Sequence, residues 1–407
     1  MTEKLREELI HRLGEKEDLS DEEIFEQIDE LIILKSRQML MPLSMRENLR
    51  KELFASVRGM DILQELLEDG GITEIMINGY KDIFVEESGC LRKVDKAFVS
   101  KERLEDVIQQ MVATANRRVN EAEPIADSRL PDGSRINVIL APVAINGPVV
   151  TIRKFPQNPV TMEQLIEWGS ITEEVALFLK DLVVAGYNIF VCGGTGSGKT
   201  TFLNVLSNYI PEDERVITIE DSAELQIKNI ANLVSLETRN ANAEGENGIT
   251  IRDLIKTALR ARPDRIIVGE IRGKEALDLL QAFNTGHDGS LSTGHANSPA
   301  DMLSRIETMV LMGMDMPIEA VRSQIGSALD IIVYLGRLRD KSRRVLSIVE
   351  IDGYRDGEVK YHDIFKFYEC GEENGKIIGK LEGSRGNLQN RVKLEMAGIY
   401  WGDDEKV

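Results

Sequence analysis

The chain has 407 residues, 42% of them hydrophobic and 29% charged, and its formal net charge is −19. That length allows two or three domains with sizeable cores, and the acidic balance argues against nucleic acid as the main partner, because a phosphate backbone is gripped by clustered cations. The three cysteines, Cys90, Cys192 and Cys370, are too scattered for a disulfide framework or a CxxC zinc site, which fits a reducing compartment.

The opening residues, MTEKLREELI, lack the apolar core of a signal peptide, and no apolar run of about 18 residues occurs, so a soluble cytoplasmic protein is expected. Residues 1–56 form an acidic, helix-prone segment. Its stretch DEEIFEQIDE (21–30) has six acidic side chains and no basic one, with Ile24, Phe25 and Ile28 at helical spacing. It reads as a solvated helix with one apolar stripe, or as a docking arm for a partner.

Residues 57–154 read as a small α+β domain. Short strands are expected at 72–77 and 83–86, and a helix over 101–117 presents Leu104, Val107, Ile108, Met111 and Ala115 on one face behind Ser100 as N-cap. LPDGSRINVILAPVAINGPVVTIRK then reads as strand, turn and strand, with turns at Asp132-Gly133 and Asn146-Gly147. Residues 155–161, FPQNPVT, read as a linker, and Thr161 with Gln164 caps the next helix.

Over residues 162–370 strands and helices alternate. Strands are expected at 188–192, 214–219, 232–236, 265–268, 290–293 and 330–335, a rhythm that implies an α/β fold with a mostly parallel, helix-covered sheet. A hairpin over 344–366 turns at Asp356-Gly357, and the glycine-rich, charged residues 371–407 read as a partly disordered tail.

Within YNIFVCGGTGSGKTT (187–201), residues 193–200 match G-x-x-x-x-G-K-[ST], the phosphate-loop pattern, between a strand and a helical stripe. Gly193, Gly194, Gly196 and Gly198 allow dihedrals closed to other residues, so that amides, including those of Thr195, Ser197 and Thr201, can converge on phosphate oxygens. Lys199 can reach the β- and γ-phosphates, and Thr200 offers a hydroxyl to Mg²⁺. The ligand this fits is a nucleoside triphosphate, ATP first.

Hydrolysis also needs an acidic group and a means of placing water. RVITIEDSAEL ends a strand with Glu220 and Asp221, and RPDRIIVGEIRG ends another with Glu270, where Gly-Glu replaces the usual aspartate. His287 and His295 each follow Thr-Gly and bracket the strand at 290–293; they lack metal-site spacing. His295 is read as a phosphate sensor.

These stations, in this order, resemble the secretion ATPases of type II and type IV systems over roughly residues 58–368. The phosphate loop is Gly193–Thr200, an Asp box is Ile217–Glu224, the atypical Walker B strand is Ile266–Glu270 and a His box is Thr285–Asn297. The tight-adherence (Tad) pilus motors look closest, on LPDGSRINVILAPVAINGPVVTIRKF and RPDRIIVGEIRGKEALDLLQAFNTGHDGSLSTGHANSP, and the tetracysteine element of type II members is absent. The resemblance implies a RecA-like core and an ATP- and Mg²⁺-dependent homohexameric motor at the inner face of the cytoplasmic membrane, acting on a membrane-embedded platform protein. It also implies that Arg135 and Arg153, with Arg129 as a third candidate, contact phosphate from the earlier domain. On this reading Glu220 polarises the attacking water and Glu270 holds the Mg²⁺ shell with Thr200, though the two roles can be exchanged. The alternatives are a DNA-translocating or helicase ring and a non-catalytic, nucleotide-gated scaffold.

Overall fold

Period-two alternation of Ile and Val builds an antiparallel sheet in the first part of the chain. The computed structural model describes residues 5, 8–9, 12, 21–37, 41–57, 60–87, 89–114, 118–155, 159–239 and 247–401. They fall in two units, Met1–Gln157 and Asn158–Val407. In the first unit, β1 (Ile72–Asn78), β2 (Asp82–Glu87), β3 (Cys90–Lys93), β4 (Ile125–Arg129), β5 (Arg135–Ile139) and β6 (Val149–Arg153) pair in the order β3-β2-β1-β6-β5-β4. One face buries Ile75, Ile77, Ile83, Val85, Ile136, Val138, Val150 and Ile152 with the apolar face of the Lys101–Thr114 helix, as expected of a half-buried antiparallel sheet. Ser100 Oγ accepts the Arg103 amide at 3.2 Å and caps that helix. Ala115, expected on the helix face, and residues 156–158 of the expected linker lie outside the described residues.

The acidic helix Asp21–Ser36 does not present its apolar stripe as a docking arm. Ile24 and Ile28 are buried with Leu49 and Leu53 of the Leu43–Val57 helix. Phe25 stacks on Phe54 at 4.1 Å, with the Arg50 guanidinium over its ring.

In the second unit, β7 (Ile189–Gly193), β8 (Arg215–Glu220), β9 (Asn232–Glu237), β10 (Arg265–Val268), β11 (Leu291–His295) and β12 (Ile331–Arg337) form a parallel array in the order β9-β8-β10-β11-β7-β12. This is the α/β arrangement of a RecA-like core. Every residue of β7 is buried, and its alternate side chains feed two cores. Ile189 and Val191 meet Phe178, Leu182, Phe202 and Leu206 on one face, and Phe190 and Cys192 meet Leu277, Leu280 and Met302 on the other. Helices on both faces explain why these strands read as unbroken apolar runs.

Beyond β12 the sheet continues as an antiparallel meander, β13 (Arg343–Arg355), β14 (Glu358–Glu373) and β15 (Lys376–Gly383). The reading of residues 371–407 as a partly disordered tail is corrected over its described part. β15 is an edge strand whose only buried residue is Ile377, so its Lys- and Glu-rich surface looks like a tail in sequence. The chain then folds back over the unit: Leu388 and Leu394 are buried, and Trp401 packs 5.6 Å from Phe178. Lys393 Nζ donates to Gly186 O at 3.0 Å, Asp288 Oδ1 at 2.7 Å and Asp330 Oδ2 at 2.8 Å, one acceptor just ahead of each of β7, β11 and β12.

Candidate functional site

Parallel strands in one sheet end at a common rim, where open α/β folds bind ligands. β7 runs into the phosphate loop, β8 ends at Glu220, β10 is followed by Gly269-Glu270, and β11 ends at His295. A Cβ on Gly193 would overlap the Leu335 carbonyl and the Ser197 hydroxyl, so glycine is required at the crest of the strand. Gly196 (φ +71°) and Gly198 (φ +93°) take the left-handed backbone open at low cost to glycine. The turn delivers Lys199 as the first residue of the Lys199–Ser207 helix, with Thr200 half-buried behind it and Thr201 exposed. First-turn amides have no intrahelical acceptor, and with the helix dipole they form an anion seat.

Ser197 is 3% exposed and its Oγ has no hydrogen-bond partner. A buried unsatisfied hydroxyl costs about 1–3 kcal/mol, and a phosphate oxygen in the loop would relieve it. The Ser197 amide and Lys199 Nζ both donate to Gly194 O, at 3.3 and 3.1 Å. A cavity of about 710 Å³ opens beside Gly194 and Thr195, lined also by Arg272, His295, Asp301 and Arg305. The loop and its surroundings therefore fit a triphosphate.

Lys199 is 7% exposed and lies 3.2 Å from His295 Nδ1. An ammonium only donates, so Nδ1 accepts and the ring proton sits on Nε2, which faces Glu270 Oε1 at 2.9 Å. Burial lowers the His295 pKa below its ordinary 6.5; Glu270 opposes this, while Lys199 and Arg272 reinforce it, so the ring is neutral near pH 7. Burial likewise lowers Lys199, against the pull of Glu270 and Cys192. Arg272 donates to Glu270 Oε2 at 2.8 Å. Lys199, His295, Glu270 and Arg272 thus lie in one line of close polar approaches, in which Glu270 Oε1 is buried near His295 Nε2 without reaching hydrogen-bond geometry.

Glu220 lies outside that line. It is 3% exposed, and its Oε2 accepts the amides of Glu224 at 2.8 Å and Leu225 at 3.2 Å, tying down the Asp-box loop. A Cβ on Gly269 would come within 2.9 Å of Glu220 Cγ, which accounts for the glycine before Glu270. His287 sits ahead of β11, with Nδ1 3.2 Å from Ala282 O. A five-residue strand spans roughly 16 Å, so His287 and His295 occupy opposite rims.

In the first unit, Arg129 is paired opposite Arg135, Arg135 opposite Arg153, and Arg153 opposite Glu74. Directly opposed residues of antiparallel strands share a face, so the three guanidinium groups stand in one row. Sequence reasoning missed Arg272, although it lies two residues after Glu270, and also Arg305 and Arg343. Arg343 Nε donates to Gly196 O at 2.8 Å across 147 residues of chain. Its signal was the cationic stretch RLRDKSRR (337–344) in an acidic protein. Among the described residues no helix is long and apolar enough to cross a membrane.

Comparison with known proteins follows the same line. Residues 57–372 match the family described as Type II/IV secretion system protein. The conjugal transfer protein TrbB of Rhizobium radiobacter is 33% identical over 299 residues, covering 73% of this chain and 88% of TrbB. The type IV secretion system protein PtlH of Bordetella pertussis is 30% identical over 324 residues, covering 73% of this chain and 94% of PtlH. Among solved structures, the pilus retraction motor PilT with bound ADP shares the fold, with a TM-score of 0.53 at 22% identity, covering 71% of this chain and 81% of that one.

Proposed function

The chain belongs to the type II/IV secretion system protein family, and from that premise we propose that it is an ATP-hydrolysing, homohexameric motor of a secretion or pilus-assembly machine. The observation that carries this reading is the contact chain from the phosphate-loop lysine through His295 to Glu270. It links the group that grips a triphosphate to the carboxylate able to orient water.

ATP binds with its phosphates on the loop Gly193–Thr201. Lys199 moves from His295 Nδ1 and the Gly194 carbonyl onto phosphate oxygen. His295, losing its donor, relaxes its hold on Glu270, which then takes the hydrolytic water. The water-activating role expected of Glu220 thereby passes to Glu270: the burial of Glu220 and its two main-chain amides favour a positioning role for it. Thr200 and Glu270 supply hard oxygen donors and would hold Mg²⁺, whose charge offsets that of the phosphates. Arg135 and Arg153, with Arg129 beside them, contact phosphate. Phosphate departure, sensed at His295, reverses these contacts, and this cycle drives a membrane platform protein through partner contacts.

PtlH favours a type IV secretion machine and TrbB a conjugal-transfer one, while the stretches 130–155 and 262–299 support the finer placement with Tad pilus motors. The net charge of −19 disfavours a DNA-translocating ring. Lys199→Ala is expected to abolish nucleotide binding and phosphate release; undiminished turnover would remove the phosphate loop from the mechanism.

A further inference from the structure

Arg343 touches the phosphate loop from outside its hollow, and Arg337 Nη1 lies 4.0 Å from the place a Cβ would take on Gly196. The β12–β13 turn and the strand ends beside it carry five basic residues, Arg337, Arg339, Lys341, Arg343 and Arg344, in eight positions. Leu335 pairs with Gly193 across β12 and β7, so this turn is carried alongside the loop. The turn is tightly built. The Leu338 amide donates to Ser342 O at 2.8 Å and the Lys341 amide to Leu338 O at 2.9 Å. Asp340 accepts the amides of Ser342 at 3.0 Å and Ile377 at 2.8 Å.

From this frame Arg343 Nε donates to the Gly196 carbonyl at 2.8 Å, and its Cδ lies 3.5 Å from the place a Cβ would take on Gly198. In a trans peptide the carbonyl and the following N–H point to opposite sides. With the Gly196 carbonyl drawn outward, the Ser197 N–H is turned inward, where it now meets Gly194 O at 3.3 Å. Gly196 has no side chain to resist rotation of that peptide. An external hydrogen bond supplies the resistance.

We propose that Arg343 is a positioning residue of the phosphate loop, holding the Gly196–Ser197 peptide in the orientation that offers its amide to an anion. It rests on the triphosphate reading of the loop and adds a partner from a distant hairpin. The Gln side chain carries its amide nitrogen as many bonds from the backbone as Arg carries Nε. Arg343→Gln therefore retains the donor without the charge, and Arg343→Ala removes both.

The test uses the full chain and two probes, pyrophosphate and a non-hydrolysable ATP analogue with Mg²⁺, with affinities measured by calorimetry and melting temperature as a fold control. Arg343→Ala is expected to weaken both probes by a similar factor of about 10, or ~1.4 kcal/mol, and to raise KM with kcat within about twofold. Arg343→Gln is expected to recover most of the pyrophosphate affinity. The inference is overturned if Arg343→Ala binds pyrophosphate as the parent does, if only the ATP analogue is weakened, which would mark a nucleoside contact, or if Gln is as weak as Ala, which would mark a purely electrostatic one. If the parent protein binds neither probe, the triphosphate reading itself falls and takes this inference with it.

Discussion

Glu220→Gln separates a positioning carboxylate from a catalytic one. In the structure Glu220 Oε2 takes two main-chain amides, those of Glu224 and Leu225. Glutamine keeps one acceptor oxygen but replaces the other with an NH₂ group, which cannot accept. With its oxygen in the Oε2 place glutamine still accepts both loop amides, but without the carboxylate charge, and its NH₂ group faces the Leu225 amide that Oε1 now accepts at 3.3 Å, inside a site where Glu220 is 3% exposed. Hydrogen bonds to a charged group contribute about 1.5–3 kcal/mol each and neutral ones about 0.5–1.5, so the loss of charge at the two bonds should cost about 1.5–3 kcal/mol in all. For a unit of 250 residues (158 to 407), each kcal/mol corresponds to about 2–4 °C. A melting temperature lower by roughly 3–12 °C follows, read by differential scanning calorimetry. ATP turnover, followed as phosphate release, should fall by no more than about tenfold, because removing a general base costs about 10²–10⁴ in rate and Glu220 is not that base here. A variant that melts like the parent but has lost a thousandfold or more of its turnover would show Glu220 to be the water-activating group and undo the exchange of roles.

Two further expectations concern the chemical step. Glu270→Gln should still bind ATP but release phosphate about 10²–10⁴ times more slowly; turnover within tenfold of the parent would exclude it as the water-orienting group. Arg153→Ala should lower kcat by about 10³, the range for an arginine that completes a phosphoryl-transfer site, while the affinity for an ATP analogue changes only a few-fold. Parent-like kinetics would dismiss a phosphate contact for the Arg129–Arg135–Arg153 row.

The central strands of the parallel array were legible because both faces are covered and their residues form short apolar runs; 265–268 coincides with β10. The edge strand β9 was also placed within a residue, on the alternation in NLVSLE, although none of its residues is buried. Two other edges were not legible. β3 is exposed at all four positions and β15 buries only Ile377, so neither carries an apolar pattern. The phosphate loop was readable because its pattern is local and sterically determined. The two glutamates both follow apolar strands, and sequence cannot tell which one is enclosed by amides and which one faces His295. Arg343 stands out in sequence only as one member of a cationic stretch, because nothing local ties position 343 to position 196. The acidic helix offered an apolar stripe whose partner, around Leu49 and Leu53, begins only after residue 41, and the sequence does not state that the two meet.

The Lys393 ammonium has a mechanical meaning. It rivets the blunt rim of the parallel array, gathering the starts of β7, β11 and β12 under one head, while the ligand loop occupies the far rim of the same strands. On the proposed reading, a load applied by nucleotide at the loop would meet three strands whose starts are held at one point, in addition to the ladder pairing that already joins β7 to β11 and β12.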